Sequence, residues 1–341
     1  MIITVDKSVF EHANIQLRNW YGLHRSAFYD VLQTGKTIRA EELEGVELEP
    51  LSEIGLLDDS SSLVSTNKSI TKFRDLFIVS DRPDDQNLNR VFPPFQDESI
   101  LLAESATRKK SHRFLDVGTG SGIVALAAAK YSADHVVATD ITLESKEEFE
   151  FNARLNGLEN KCEFILSDVY EHLSNKEKFD AISCNPPFVP LPKSFDYFVH
   201  SHGGSDGLEV YFRLVKRLPE FLSEDGELHM VMLSLLKNNR PIIENSLMNL
   251  PESFVFSIDQ VYEVGDVDIL GFYDWLPKTV PCLEWLKSLL NNGYSRIGYF
   301  SLVVSGRPSI TTKLSDVKDE SWPELSNSFK NRSKRYIRCD S

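Results

Sequence analysis

The chain has 341 residues, which is long for one domain and fits a catalytic core with one or two additions. Its 41% hydrophobic content is enough for a well-packed core and argues against global disorder. The formal net charge is −14. Because proteins hold phosphate backbones with Lys and Arg, so acidic a chain argues against nucleic acid as its partner. Scattered cysteines, no secretion signal and no long apolar run predict a cytoplasmic protein without a membrane span.

Residues 1–90 are predicted to form an N-terminal accessory module. Apolar positions recur at helical spacing across residues 8–32, and short alternating segments follow near residues 63–64 and 76–79. A helix followed by a hairpin resembles a winged-helix module. Because the module is itself acidic, we favour a packed lid or docking element over a nucleic-acid reader. Residues 81–90 are polar and form a predicted linker.

The remainder divides into a core, residues 91–310, and a C-terminal extension, residues 311–341. In the core, apolar strands alternate with helices, which predicts an α/β fold with a parallel sheet covered by helices on both faces. The predicted strands are 112–117, 135–140, 161–166, 179–185, 227–233, 253–259 and 296–304, and the predicted helices are 122–130, 143–155, 208–222 and 281–290. The basic stretch 330–338 of the extension is interpreted as a solvated or surface-packed end.

A glycine loop follows the first core strand. Gly118, Gly120 and Gly122 permit a tight turn and a close approach of ligand to backbone at a helix start that offers free N–H groups. Asp116 stands where dinucleotide-binding loops usually have glycine, so its carboxylate would meet a cationic part of the ligand. S-adenosylmethionine (SAM) carries an amino group and a sulfonium and has no phosphate. The loop therefore predicts a SAM site.

Two further aspartates follow neighbouring strands. Asp140, at the end of the second strand, can accept both ribose hydroxyls, and Asp168, after the third strand, is placed near the adenine edge. The predicted cofactor-binding residues are Asp116, Gly118, Thr119, Gly120, Gly122, Asp140, Ile141, Asp168 and Asn185.

The tetrapeptide Asn185-Pro186-Pro187-Phe188 follows the fourth strand, at the carboxyl ends of the strands, where ligands of such folds bind. Prolines fix the backbone and donate no hydrogen bond, which leaves carbonyls free. The side-chain oxygen of Asn185 and the carbonyl of Pro186 can together accept both hydrogens of an –NH2 group and aim its lone pair. Phe188 offers an aromatic face to the acceptor or to the cationic methyl group. Asn185, Pro186 and Phe188 are the predicted catalytic residues, and no metal-binding constellation is visible.

Five segments together resemble the release-factor glutamine N-methyltransferases and, more broadly, the small-domain methyltransferases. They are DVGTGSG from Asp116, Thr139-Asp140, NARLNG from Asn152, CNPPF from Cys184 and HGGSDGLEVY from His202. The resemblance implies a class I, Rossmann-like sheet of seven strands whose last strand, near Gly298, is antiparallel. It also implies in-line methyl transfer to nitrogen, driven mainly by proximity and orientation. The chain departs from those enzymes at Phe188, where they typically carry tyrosine, in residues 1–90, and in an insertion at 265–277.

The sequence leaves the acceptor open. It can be a small molecule, a peptide or a protein, and a ribosomal or other nucleic acid docked by the N-terminal module is an alternative. A further alternative is a SAM cyclase that makes azetidine-2-carboxylate and methylthioadenosine beneath an aromatic lid. The segments WYGLHR from Trp20 and FDYF from Phe195 are candidates for such a lid. His200 and His202 could assist catalysis, although loop histidines are more often structural.

Overall fold

The computed structural model describes residues 5–58, 62–94, 97–174, 176, 178–261, 266–306 and, for the backbone alone, 335–337. Apart from those three residues, the predicted C-terminal extension lies outside the described part of the chain. The N-terminal elements are α1 (Lys7–Leu23), α2 (Arg25–Leu32), β1 (Ile38–Arg39), a 3-10 turn (Ala40–Leu43), α3 (Glu49–Glu53), β2 (Leu63–Val64), β3 (Lys68–Phe73) and β4 (Leu76–Asp81).

The remaining elements build one large sheet and the helices around it. They are α4 (Asp97–Ala106), β5 (Ser111–Val117), α5 (Ile123–Tyr131), β6 (Ala133–Asp140), α6 (Leu143–Leu155), β7 (Cys162–Leu166), β8 (Phe179–Cys184), α7 (Glu209–Phe221), β9 (Leu222–Lys237), β10 (Arg240–Pro241), α8 (Glu244–Leu247), β11 (Val255–Gln260), β12 (Asp266–Asp268), α9 (Ile269–Phe272), α10 (Val280–Asn291), β13 (Tyr294–Ser305) and β14 (Arg335–Ile337). No helix in the described ranges is both long and apolar enough to cross a membrane.

Seven strands form the body of the sheet in the order β7-β6-β5-β8-β9-β13-β11. The first five are mutually parallel, and β13 runs antiparallel between β9 and β11. The predicted α/β fold, its seven-stranded sheet and its antiparallel last strand are therefore confirmed. Short strands β10, β12 and β14 add to this body.

The structure corrects three local predictions. The single helical pattern over residues 8–32 forms two helices, because the chain leaves helical geometry at His24 (φ −132°, ψ 54°). Strand β3, which pairs with β4, and helix α4 carry no pattern that we recognised. The fifth core strand, predicted at 227–233, runs from Leu222 to Lys237, and its buried residues continue beyond the apolar run as far as Leu236.

Helix α6 joins the N-terminal elements to the core through two asparagines. The fully buried Asn152 accepts a hydrogen bond from the Val79 amide (2.8 Å) and donates to the Val79 carbonyl (2.7 Å), as a neighbouring strand would. It also donates to the carbonyl of Ser121 in the glycine loop (2.8 Å). Asn156 bonds both backbone groups of Phe77 in the same way. One amide therefore couples β4 to the glycine loop.

We predict that Asn152→Ala lowers the free energy of unfolding by at least about 2 kcal/mol, because buried backbone groups lose their partners. It should also weaken SAM binding, since Ser121 loses its anchor. Asn156→Ala is the matched control, because it breaks the same kind of contact to β4 but leaves the loop untouched. Denaturant unfolding and calorimetry check both variants. Equal losses of SAM affinity in the two would contradict the coupling.

Candidate active site

The glycine loop between β5 and α5 is held in a left-handed backbone conformation, with φ angles of 70° at Gly118 and 54° at Gly120. The amides of Gly118 and Thr119 both donate to the Thr139 carbonyl on β6 (2.8 and 2.9 Å). The amide of Gly120 donates to the carboxylate of Asp140 (3.0 Å). The loop is thus fixed to the end of the neighbouring strand.

Asp140 collects hydrogen bonds at the end of β6. Its Oδ2 accepts from Gly120, and its Oδ1 accepts from the amides of Ile141 (2.8 Å) and Thr142 (3.2 Å) and from the Thr142 hydroxyl (3.3 Å). Burial raises the pKa of Asp140, although the backbone amides oppose this shift. Because Oδ1 already has three donors, a ligand hydroxyl finds more free acceptor capacity at Oδ2.

Asp116 lies at the end of β5 and is almost fully buried. Its Oδ2 accepts from the Thr119 hydroxyl (2.7 Å) and from the Ala125 amide near the start of α5 (3.2 Å). Burial raises its pKa to about 7, against the lowering effect of these two hydrogen bonds. A cationic group bound nearby would favour the charged form of this carboxyl.

Two cavities open at the carboxyl ends of the strands. The first, of about 160 Å³, contains Asp140, Ile141 and Asp168 in its wall, and we call it the Asp140 cavity. The second, of about 450 Å³, contains Tyr299, Phe188 and Asp116, and we call it the Tyr299 cavity. The two cavities adjoin, because they share wall residues: Arg90, Phe92, Gly118, Gly120, Asn185, Pro186 and His200.

Asn185 stands at the junction of the two cavities. Its Nδ2 donates to the hydroxyl of Ser99 on α4 (3.1 Å), which fixes the amide plane. Its Oδ1 is buried and has no hydrogen-bond partner. A buried acceptor without a partner costs about 1–3 kcal/mol, so a ligand that donates to Oδ1 would recover that cost.

Aromatic groups enclose the same junction. The His200 ring stacks on Phe92 (4.8 Å between ring centres) and on Phe198 (5.4 Å), and the Arg90 guanidinium lies 3.8 Å from the centre of the Phe198 ring. Burial, reinforced by the charge of Arg90, lowers the pKa of His200 to about 4. The imidazole is therefore neutral at physiological pH. His202 instead accepts a hydrogen bond from the Gly204 amide (3.2 Å).

Most predicted site residues line these cavities. The Asp140 cavity includes Gly118, Gly120, Asp140, Ile141, Asp168, Asn185 and Pro186, and the Tyr299 cavity adds Asp116, Thr119 and Phe188. Asp168 also forms an ion pair with Arg213 (2.5 Å). Gly122 lines neither cavity. It has a φ of 86°, and a Cβ there would lie 2.5 Å from the Phe149 ring. Glycine is therefore needed at this position because a side chain would collide with α6.

Two residues at the end of the predicted N-terminal module reach the cavities. Within the described part of residues 1–90, Asn89 and Arg90 are the only residues that line either cavity. Trp20 is fully buried among N-terminal residues and packs edge-on against Phe28. The WYGLHR segment therefore supplies no aromatic wall, whereas Tyr197 and Phe198 of the FDYF segment do.

Sequence reasoning missed Ser99, Glu98 and Tyr299. The first two lie on α4, and Glu98 is only 4% exposed although it lines the Tyr299 cavity. Burial, with the charge of Glu98, raises the pKa of Tyr299. A serine or glutamate in an unrecognised helix gives no local signal, and Tyr299 lies within a predicted strand whose side-chain directions depend on register.

A second constellation has the residue types of a hydrolase. The Ser105 hydroxyl lies 2.5 Å from His229 Nδ1, and His229 Nε2 lies 3.1 Å from Glu227. All three side chains are buried, and the adjoining cavity measures about 20 Å³, room for about one water molecule. The relay ties α4 to β9 and has no space for a substrate.

The chain is similar to known methyltransferases. A family model described as "Methyltransferase small domain" matches residues 95–253. A Methanocaldococcus jannaschii protein, named as an inferred protein N5-glutamine methyltransferase, is 34% identical over 151 residues, 42% of this chain and 73% of that protein. The release factor glutamine methyltransferase of Agrobacterium fabrum is 34% identical over 155 residues, 42% of this chain but 51% of its own length. A solved Thermus thermophilus 16S rRNA N2 G1207 methyltransferase, in complex with AdoMet and guanosine, has a TM-score of 0.42 and 16% identity over 72% of this chain and 54% of that chain.

We predict that Asp140→Ala weakens SAM binding at least about tenfold, because hydrogen bonds to a charged carboxylate are worth roughly 1.5–3 kcal/mol. Asp134→Ala is the matched control, since Asp134 lies at the opposite end of β6 and is exposed, with His112 as its ion-pair partner (3.1 Å). Calorimetric titration with SAM measures both. An unchanged dissociation constant for Asp140→Ala would remove this residue from the site.

A pH dependence follows from Asp116. Its pKa rises from 3.8 to about 7 in the folded state without ligand. Between these values the folded protein keeps a proton that the unfolded chain has lost, so the contribution of Asp116 to the free energy of unfolding falls as pH rises. Relative to Asp116→Asn, the wild-type protein should lose up to about 1.4 kcal/mol per pH unit in this window. Denaturant unfolding of both proteins at several pH values tests this. Parallel stability curves would contradict it.

Proposed function

Because the chain belongs to the methyltransferase small-domain family, and so to the SAM-dependent methyltransferases, we propose that it methylates a carboxamide nitrogen of a protein acceptor. The names of both relatives contain "glutamine methyltransferase", and one of them names a release factor. Glutamine supplies such a nitrogen. The match covers less than half of this chain, so the acceptor is argued from the site itself.

The observation that carries the proposal is the buried Oδ1 of Asn185 without a partner. Ser99 holds the Nδ2 end of the same amide, so Oδ1 is the end turned to a ligand. An entering –NH2 group can donate one hydrogen to Oδ1 and the other to the carbonyl of Pro186, which lies in the same wall. When these two acceptors hold both hydrogens, the lone pair of the nitrogen can point in only one direction, toward the methyl group to be transferred.

The electrostatics favour an amide over an alkyl amine. A protonated amine must lose a proton before it can attack, and this needs a base with a pKa near the working pH. His200 cannot serve, because its pKa is about 4. Asp116 has a pKa of about 7 without ligand, but a cationic group of SAM beside it would lower that pKa and make the carboxylate a weaker base in the complex. A neutral carboxamide needs no prior deprotonation: its nitrogen would bond the methyl carbon as the bond from that carbon to sulfur breaks, and one of the two nitrogen hydrogens would then leave as a proton.

The residues of the Asp140 cavity suit SAM. Asp140 has acceptor capacity for a ribose hydroxyl, and the glycine loop lets a ligand approach its backbone closely. Asp116 lies on the side of the Tyr299 cavity, where a buried carboxylate favours a cationic group. When bound, SAM supplies an electrophilic methyl group on a positively charged sulfur.

The remaining catalytic contribution of this chain is orientation. Pro186 and Pro187 restrict the backbone that carries Asn185, and Phe188 meets Tyr299 edge to face with ring centres 5.9 Å apart. These side chains form a fixed wall on which the acceptor amide lies. Holding two reactants in line is sufficient for large rate enhancements when little new charge forms.

We predict that Asn185→Ala lowers turnover by orders of magnitude while SAM affinity changes little, because an orienting hydrogen bond matters most in the transition state. Asn185→Asp keeps the shape and the acceptor oxygen, so it should retain part of the activity. Methyl transfer to glutamine-containing peptides and SAM dissociation constants, measured for the three proteins, test this. If turnover and SAM binding fall together, Asn185 belongs to the cofactor site.

The same assay without acceptor distinguishes the cyclase alternative. Wild-type protein incubated with SAM alone should yield neither adenosylhomocysteine nor methylthioadenosine by mass spectrometry. Detection of methylthioadenosine together with azetidine-2-carboxylate would show that the protein cyclises SAM instead of transferring its methyl group. With peptide present, adenosylhomocysteine and a peptide heavier by one methylene are expected.

A further inference from the structure

A row of aromatic rings leads outward from the Tyr299 cavity. Phe198 and Tyr197 line that cavity, and their ring centres lie 5.2 Å apart. Tyr197 stacks on Phe195 (5.9 Å), and Trp275 contacts both, at 5.6 Å from Tyr197 and 6.4 Å from Phe195. Trp275 is 48% exposed. We call Phe195, Tyr197, Phe198 and Trp275 the aromatic ladder.

Hydrogen bonds hold the chain segments that carry the aromatic ladder. Trp275 follows α9 in the sequence insertion, which the structure describes from residue 266 onward. The fully buried Tyr273 donates a hydrogen bond to the Pro190 carbonyl (2.6 Å) and packs edge-on against Trp285. The Trp285 indole donates to the Ser205 carbonyl (3.0 Å). Two hydrogen bonds thus hold the insertion and α10 to the segment that follows the Asn-Pro-Pro-Phe motif, and the half-exposed ring of Trp275 contacts Tyr273 with ring centres 6.2 Å apart.

The position of the ladder determines what it can contact. If a protein side chain enters the Tyr299 cavity to reach Asn185, the backbone on either side of it must remain at the cavity mouth. Tyr197 stands at that mouth, and Trp275 lies just outside it. Rigid aromatic rings are frequent energetic centres of protein interfaces. We propose that the aromatic ladder docks the residues that flank the methylated side chain of a protein acceptor, an inference that rests on the proposed function.

The chemistry of the ladder favours an extended, basic segment. Ring faces attract guanidinium and ammonium groups, and exposed Asp196 separates Phe195 from Tyr197 in the chain. Asp274, beside Trp275, is 92% exposed and only loosely paired with Lys278 (3.8 Å). Although Lys193 is also exposed nearby, the net charge of −14 attracts a cationic partner over longer distances.

The test uses the full chain, saturated with adenosylhomocysteine, and three capped synthetic peptides with one central glutamine. The residues beside the glutamine are arginine, alanine or glutamate. Peptide dissociation constants are measured by calorimetry for wild type, Trp275→Ala and the control Phe212→Ala. Phe212 is 43% exposed on α7 and absent from both cavity walls, so its truncation removes a comparable exposed ring elsewhere.

We expect the arginine peptide to bind the wild type most tightly and Trp275→Ala to weaken it about five- to tenfold. Phe212→Ala should bind all three peptides like the wild type, and the affinity of Trp275→Ala for SAM should be unchanged. Equal peptide affinities in wild type and Trp275→Ala, or no peptide binding by the wild type, would overturn the docking surface. If the arginine peptide binds through Trp275 but receives no methyl group from SAM, the docking surface stands and the proposed function fails.

Discussion

The hydrogen bond from the Gly120 amide to Asp140 is the contact on which the rest of the site depends. It crosses from the loop after β5 to the end of β6, and therefore fixes the two walls of the Asp140 cavity against each other. A left-handed backbone at Gly120 is needed to point the amide in this direction, and glycine adopts that conformation without a steric penalty. Asn152 holds the other side of the loop through Ser121, so the glycine loop is tied both to β6 and to β4 of the N-terminal module.

How far the sequence predicts this structure depends on whether a feature is local. The strands β5, β6 and β8 and the helices between them follow from periodicity, and the loops at their carboxyl ends are brought together by the parallel order alone. Helix α4 escaped prediction because it is buried on several sides, as Leu102, Ala103 and Ser105 show, so no amphipathic pattern is visible. Because α4 was not predicted, Ser99 was not recognised as the hydrogen-bond partner that orients the side-chain amide of Asn185.

The N-terminal module shows which contacts a local sequence pattern does not predict. Helical spacing over residues 8–32 and the apolar run of β4 could be recognised in the sequence. The placement of these elements against α6 depends on Asn152, near the end of the predicted helix 143–155, and on Asn156, just beyond it. Asn152 and Asn156 replace a missing strand along the free edge of β4. Such contacts join residues more than seventy positions apart and leave no periodic trace. Asn89 and Arg90 are the described residues of the module that line the cavities, and β4 contacts the glycine loop through Asn152.

The division between cavity and surface bears on the choice between a small acceptor and a protein. A small molecule would be enclosed by the Tyr299 cavity, where Asn185, Phe188 and Tyr299 suffice to orient it. It would have no use for Trp275, which is absent from the cavity wall and about half exposed. The hydrogen bonds of Tyr273 and Trp285 hold the insertion and α10 around this residue. Under the proposed function a protein acceptor would use both parts, since its reactive side chain would enter the cavity and its flanking residues would cover the ladder. The fixed acceptors at the strand ends would then set the chemistry, and the insertion would set the choice of acceptor.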